Sequence, residues 1–139
     1  MVGVVVATHG RLAEELIRTA ELVCGPLEKC KPVSVGGPAE MEDARSQLAE
    51  AIHQVDDGEG VLVLTDMFGG TPANLALTFL DERLEVVTGV NLPMLMKLST
   101  CRTPGAVLRE IAQMLTGYAQ KNITLASELL RIRARTDRA

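Results

Sequence analysis

"VVVATHGRLAEELIRTAELVCG", residues 4–25, changes its period in mid-course. Val2–Ala7 is short, continuous and rich in β-branched residues, the pattern of a strand buried on both faces. From Leu12 the period becomes helical. Leu12, Leu16, Ala20 and Val23 recur on one stripe, with Glu14, Glu15, Arg18 and Glu21 off it. Gly25-Pro26 ends that helix. Between strand and helix lies Thr8-His9-Gly10, so a histidine stands at the tip of a buried strand.

The same alternation continues along the chain. Lys31–Val35 reads as a second strand and Gly36-Gly37-Pro38 as a turn. Met41, Ala44, Leu48, Ala51, Ile52 and Val55 mark a second amphipathic helix, closed by Asp56-Asp57-Gly58. Val61–Thr65 is a third, buried strand. A glycine-containing loop, Asp66–Thr71, then leads into a helix over Pro72–Leu80. Glu85–Thr88 is a fourth strand, and Asn91–Leu98 a short helix with Pro93 in its first turn. Val107, Leu108, Ile111, Leu115 and Tyr118 mark a longer helix. Ile123–Leu130 is read as a last strand in preference to further helix, and Arg131–Ala139 as a basic, frayed tail.

Alternating strands and helices specify an α/β fold with a mainly parallel sheet. The expected order is 2-1-3-4, which sets the first and third strands side by side at a switch point. Ligands and chemistry in such sheets lie at the carboxyl ends of the strands, at that switch. Composition sets the class. The chain has 139 residues and 47% hydrophobic residues, enough for one well-filled core. Aromatics are 2%, too few for a base-stacking surface, and the net charge of −4 leaves no basic footprint for nucleic acid. Three cysteines without a CxxC pair give no disulfide framework and no zinc site, so a reducing cytoplasm is the expected compartment. "VGVVVA" is too short for a signal core, and no apolar run approaches a membrane span.

The switch point gives His9 a meaning. His9 follows the first strand and Asp66 the third, so neighbouring strands bring both side chains to one crevice. A carboxylate beside an imidazole takes the proton of one ring nitrogen, fixes the tautomer and leaves the other nitrogen nucleophilic. It also balances the positive charge that develops when the ring attacks an electrophile. The "GGTP" segment adds an anion site. Thr71 is placed as an N-cap and Pro72 at the first helical position, while Gly69 and Gly70 let the backbone approach a ligand. The free N–H groups of that helix, with the Thr71 hydroxyl, suit a phosphoryl group carried on His9. Thr8 and Asn74 are supporting residues, Asn74 bracing the loop from one turn in.

Other residues draw plainer readings. His53, within the second helix, is a surface or boundary residue, and Cys24 is small packing on the first helix. Cys30 and Cys101 have no local partner. Ser34 and Gly36-Gly37 suit a turn better than a crevice rim. Met94 and Met96 suit core packing at least as well as an apolar docking rim, and "RIRAR" a solvated tail better than a binding patch.

"VVVATHGRLAEELIRTAELVCG", "VLVLTDMFGGTPANLAL" and "VVTGVNLPMLMKL" together resemble the signature segments of the EIIA domain of the mannose-type sugar phosphotransferase system. The likeness runs from Val2 to about Tyr118. It implies a phosphocarrier that accepts a phosphoryl group from phospho-HPr, holds it on a histidine and passes it to a cognate EIIB. EIIC and EIID membrane components would be engaged indirectly. By this resemblance the phosphorylated histidine falls on His9, with Nε2 as the reacting atom. The orienting aspartate falls on Asp66 and the hydroxyl of the phosphate loop on Thr71. The resemblance further implies a doubly wound sheet of about five strands with an antiparallel edge strand, which homodimers exchange. Ile123–Leu130 would suit that strand. Residues 1–130 would form one EIIA-like unit, with any EIIB on a separate chain. No cofactor or metal is called for, because the group moves between two imidazoles.

Two alternatives follow. The same phosphorylated His9 would serve a regulatory module that signals to a kinase or transcription factor. A receiver-like domain phosphorylated on Asp66 is weaker. Receivers need an acidic pair after the first strand to hold Mg²⁺, and that place reads Thr8-His9-Gly10.

Overall fold

The computed structural model describes residues 1–36 and 41–138. Gly37-Pro38 of the expected turn therefore lie outside the described residues. The elements, in chain order, are β1 (Gly3–His9), α1 (Leu12–Cys24), β2 (Cys30–Val35), α2 (Met41–Val55), β3 (Val61–Thr65) and α3 (Thr71–Leu77). There follow β4 (Leu84–Thr88), α4 (Leu92–Cys101), α5 (Leu108–Lys121) and α6 (Ala126–Arg138).

The four strands form one parallel sheet in the order β2-β1-β3-β4. Strand side chains alternate between two faces, and the strands at the centre are buried on both. Val4, Val6, Leu62 and Leu64 meet α1, α4 and α5 on one face through Ile17, Leu95, Leu98, Ile111 and Leu115. Val5, Ala7, Val61 and Val63 meet α2 and α3 on the other through Leu48, Val55, Leu75 and Ala76. Each fully buried Val or Leu contributes about 1.5–3 kcal/mol relative to exposure. That is why a core with almost no aromatic residues suffices. No described helix is long and apolar enough to cross a membrane.

Three expectations from the sequence need correction. The apolar stripe of α1 is rotated by one residue: Ala13, Ile17 and Ala20 are buried, whereas Leu12 and Val23 are 45% and 63% exposed. Two overlapping stripes one residue apart share Ala20, and periodicity cannot choose between them. The choice is made by Thr8, whose buried Oγ1 accepts the Ala13 N–H at 2.7 Å and fixes the rotation of the helix on the strand. Cys24, at the end of the misplaced stripe, is exposed.

The second correction concerns the C-terminal segment. Ile123–Leu130 is not an antiparallel edge strand, and no fifth strand occurs among the described residues. Ala126–Arg138 is helix instead, so residues 131–138 are its last turns and not the expected frayed tail; it is opened by bonds from the N–H groups of Glu128 and Leu129 to the Leu125 carbonyl. Ala, Glu, Leu and Arg at 126 and 128–131 are strong helix formers, and the β-branched residues are too sparse to oppose them. The residues from Gln120 to Asp137 are all exposed. The third correction, at Thr71, is given below with the site.

At the amino ends of β1 and β2 sits a buried cation that no motif or periodicity announces. Arg102 is 8% exposed. Its Nη1 donates to the Val2 carbonyl at 3.1 Å, and its Nη2 to the Glu28 carbonyl at 2.7 Å. Cys30 lies near it. Burial pushes the Cys30 thiol up to about 12 against the lowering effect of Arg102, so Cys30 stays protonated and unreactive. Arg102→Met leaves those carbonyls without their charged donor. The expected loss is about 2–3 kcal/mol of stability in a urea melt, with His9 chemistry at the far end of the sheet unaltered.

Candidate functional site

Adjacent parallel strands that end together deliver their next residues to one place. β1 pairs with β3 up to Ala7 opposite Thr65, so His9 and Asp66 emerge side by side. His9 Nδ1 lies 2.8 Å from Asp66 Oδ2, and the same oxygen accepts the His9 backbone N–H at 3.1 Å. Asp66 Oδ1 accepts the Met67 N–H at 3.1 Å. Both oxygens are therefore occupied by donors. Burial alone would raise the Asp66 pKa. The hydrogen bonds from the His9 ring and backbone and the nearby charge outweigh it and hold the carboxyl below its ordinary value.

This electrostatic state decides the tautomer. An ionised carboxylate only accepts hydrogen bonds, so the ring nitrogen facing it must carry the proton. Nδ1–H then donates to Asp66, and Nε2 keeps its lone pair. The His9 side chain is 46% exposed, while Asp66 is 15% exposed. The base is thus held from behind and open in front.

The turn that presents His9 is fixed on three sides. Gly10 has φ +56° and donates its N–H to the Val35 carbonyl at 3.1 Å. Thr8, one residue before His9, is fully buried and bound to α1. On the third side is Gly70. A Cβ built there would stand 2.7 Å from His9 Cε1 and 3.3 Å from Nε2. The Gly70 backbone packs against the edge of the ring that would react.

Gly70, not Thr71, is the N-cap of α3, with φ −82° and ψ 166°. Thr71 is the first helical residue and Pro72 the second. The expectation of a Thr71 cap was one residue late, because a glycine with extended dihedrals caps as well as a threonine when the ring of His9 leaves no room for a side chain. Among the described residues, no hydrogen bond uses the Thr71 hydroxyl. The Asn74 backbone N–H donates to the Gly70 carbonyl at 2.9 Å, a first-turn helix bond that does not depend on the asparagine side chain, which is exposed. Gly69, at φ +84°, makes the preceding turn.

Gly70→Ala tests the close approach. The dihedrals at Gly70 suit alanine, so the backbone has no reason to move. The new methyl must displace the His9 ring or the Met67 side chain, whose Cγ is 3.3 Å from the same point. The expected result is at least a tenfold slower reaction at His9, with the unfolding midpoint changed far less. Transfer kinetics beside a urea melt check it.

The other candidates lie elsewhere. His53 is exposed on α2, remote in sequence from both loops. Met94 is fully buried and Met96 packs partly against the core, so the packing reading holds for both. The Ser34 hydroxyl donates to Glu14 at 3.4 Å.

The chain is similar to known proteins of one family. A sequence model of the EIIA-man family, described as "PTS system fructose IIA component", matches residues 3–116. The chain is 37% identical over 107 residues to the PTS system mannose-specific EIIAB component of Escherichia coli K12, covering 73% of this chain and 32% of that protein. It superposes on the mannose/sorbose-specific IIA subunit of Enterococcus faecalis with TM-score 0.79 at 28% identity, over 89% of this chain and 93% of the other. A stretch of the transcriptional regulatory protein LevR of Bacillus subtilis is 31% identical over 109 residues, 76% of this chain and 11% of that protein.

Proposed function

The chain belongs to the mannose/fructose-type EIIA family of the sugar phosphotransferase system, and from that premise we propose that it is a phosphocarrier that accepts a phosphoryl group from phospho-HPr on His9 and passes it to a cognate EIIB during sugar uptake. One observation carries the reading. His9 Nδ1 is engaged by an ionised Asp66 at 2.8 Å, which leaves Nε2 as an oriented, exposed nucleophile.

The chemistry follows from that arrangement. The Nε2 lone pair forms a bond to phosphorus while the donor's P–N bond breaks, its electron pair returning to the donor imidazole. The ring gains positive charge, and Asp66 balances it through the Nδ1–H bond. The phosphoryl oxygens spread negative charge. In this reading the N–H groups of Gly69, Gly70 and Thr71 and the Thr71 hydroxyl, at and just before the start of α3, receive them. The return step to EIIB is the same reaction in reverse.

The wider setting belongs to the same proposal. The chain works in the cytoplasm, serves EIIC and EIID through EIIB, and acts as a homodimer. The exposed Leu129, Leu130 and Ile132 of α6 support an interface. In this reading residues 1–130 hold the phosphocarrier unit, since the proposed site residues fall between Thr8 and Asn74, while α6 runs on as an exposed helix past that boundary.

Incubation with phosphoenolpyruvate, enzyme I and HPr, followed by intact mass, tests the reading. One added phosphoryl group, stable at neutral pH and lost in acid, is expected. No added mass beside phosphorylated HPr overturns it. The likeness to part of LevR favours a second reading, in which phospho-His9 reports system state to a regulator. Transfer onward to purified EIIB separates the two.

A further inference from the structure

The chain has two phenylalanines and one tyrosine, and it spends one phenylalanine on solvent. Phe68 is 74% exposed at the tip of the loop between β3 and α3, and Met67 beside it is 54% exposed. This is the loop that carries Asp66 at one end and Gly70 at the other. Met67 reaches the same point of the Gly70 backbone that the His9 ring touches. Leu12, 45% exposed, opens α1 three residues after His9, just beyond the turn that presents the ring. Large apolar side chains thus stand in water on the β3–α3 loop and at the start of the helix that follows His9.

Nothing in the reaction at Nε2 asks for them. A small phosphoryl donor is a hydrated anion, and exposed methionine and phenylalanine offer it no favourable contact. A protein donor is different. Its phosphorylated imidazole arrives on a surface that must dehydrate around it, and exposed aromatics ringed by polar groups are the usual anchors of such contacts. The backbone around Gly70 packs against the Cε1–Nε2 edge of the His9 ring, so the donor must close what that contact leaves open around Nε2.

We propose that Phe68, with Met67 beside it, is a specificity-determining residue that selects a phosphohistidine-bearing protein over small phosphoryl donors. The inference rests on the phosphocarrier reading above. It adds a residue for donor choice that sits outside the His9–Asp66 pair and the α3 N-terminus.

The test compares two donors on one chain. Phospho-HPr is the protein donor, and phosphoramidate is the small one. Phe68→Ala is expected to raise the KM for phospho-HPr about tenfold or more, and to leave phosphoramidate labelling of His9 within twofold of wild type. Phe68→Leu, which keeps apolar area, should restore most of the KM. Leu80→Ala removes a comparably exposed apolar residue from the far end of the α3 segment and should change neither donor. An unchanged KM in Phe68→Ala overturns the inference and leaves the phosphocarrier reading standing. Equal slowing with both donors also overturns it, since the residue would then act on His9 itself. Wild-type chain that phosphoramidate labels but phospho-HPr does not overturns the phosphocarrier reading, and the inference falls with it.

Discussion

His9→Ala takes up no phosphoryl group from phospho-HPr. Removal of the ring removes the proposed nucleophile at the meeting of β1 and β3, and the described neighbours are poorly placed to replace it. Asp66 sits behind the ring and is 15% exposed, with both oxygens held by donors. His53 is on α2, outside this crevice. The fold should survive, because the His9 side chain is about half exposed and its backbone bonds remain. Surface truncations of this kind cost within about 0.5 kcal/mol. Intact mass and a thermal melt together check the expectation. A singly phosphorylated His9→Ala chain would place the acceptor elsewhere.

The second large effect is at Asp66. Asp66→Asn keeps the size of the side chain but supplies an amide that can donate as well as accept. Nδ1 is then free to accept a hydrogen bond, and the proton moves to Nε2, the wrong nitrogen. In a triad the same exchange costs about 10⁴ in turnover through the tautomer alone. Here the expected slowing is on the order of 10²–10⁴-fold, because charge balance for the imidazolium is lost too. The KM for phospho-HPr should change little, since Asp66 faces away from the donor. The pH dependence has a definite sign. The folded pKa of Asp66 lies below its ordinary value. Its support for the His9 ring is therefore complete above the ordinary carboxylate range and is lost as pH falls through the folded pKa. Wild-type transfer rates should decline on acidification, and Asp66→Asn should lack that component.

Much of the fold was legible because the core strands are continuous apolar runs and the helices carry clear stripes. Val61–Thr65 follows from that pattern, and the pairing of β1 with β3 from the strand order expected of a doubly wound sheet. The His9–Asp66 contact was legible for the same reason, since two residues that end neighbouring strands need no further information to meet. What escaped was set by contacts through space or by single atoms. The rotation of α1 turns on one hydroxyl, Thr8 Oγ1. The place of Thr71 shifted by one residue because the His9 ring excludes a Cβ at Gly70, a contact between residues 61 apart in sequence. Arg102 stands in no motif, and only the carbonyls of Val2 and Glu28 around it show its place. The C-terminal segment, open between strand and helix in the sequence and expected as strand, is helix because local helix propensity from Ala126 onward prevails.

The most direct measurement uses the chain's two histidines. Protein labelled with ¹⁵N in its histidine rings is incubated with phosphoenolpyruvate, enzyme I and HPr, and its ring nitrogens are followed by NMR. The account predicts that His9 alone changes, with the phosphoryl group on Nε2 and the Nδ1 proton retained in its bond to Asp66. A phosphoryl group on Nδ1 of His9, on His53, or on neither histidine would contradict it.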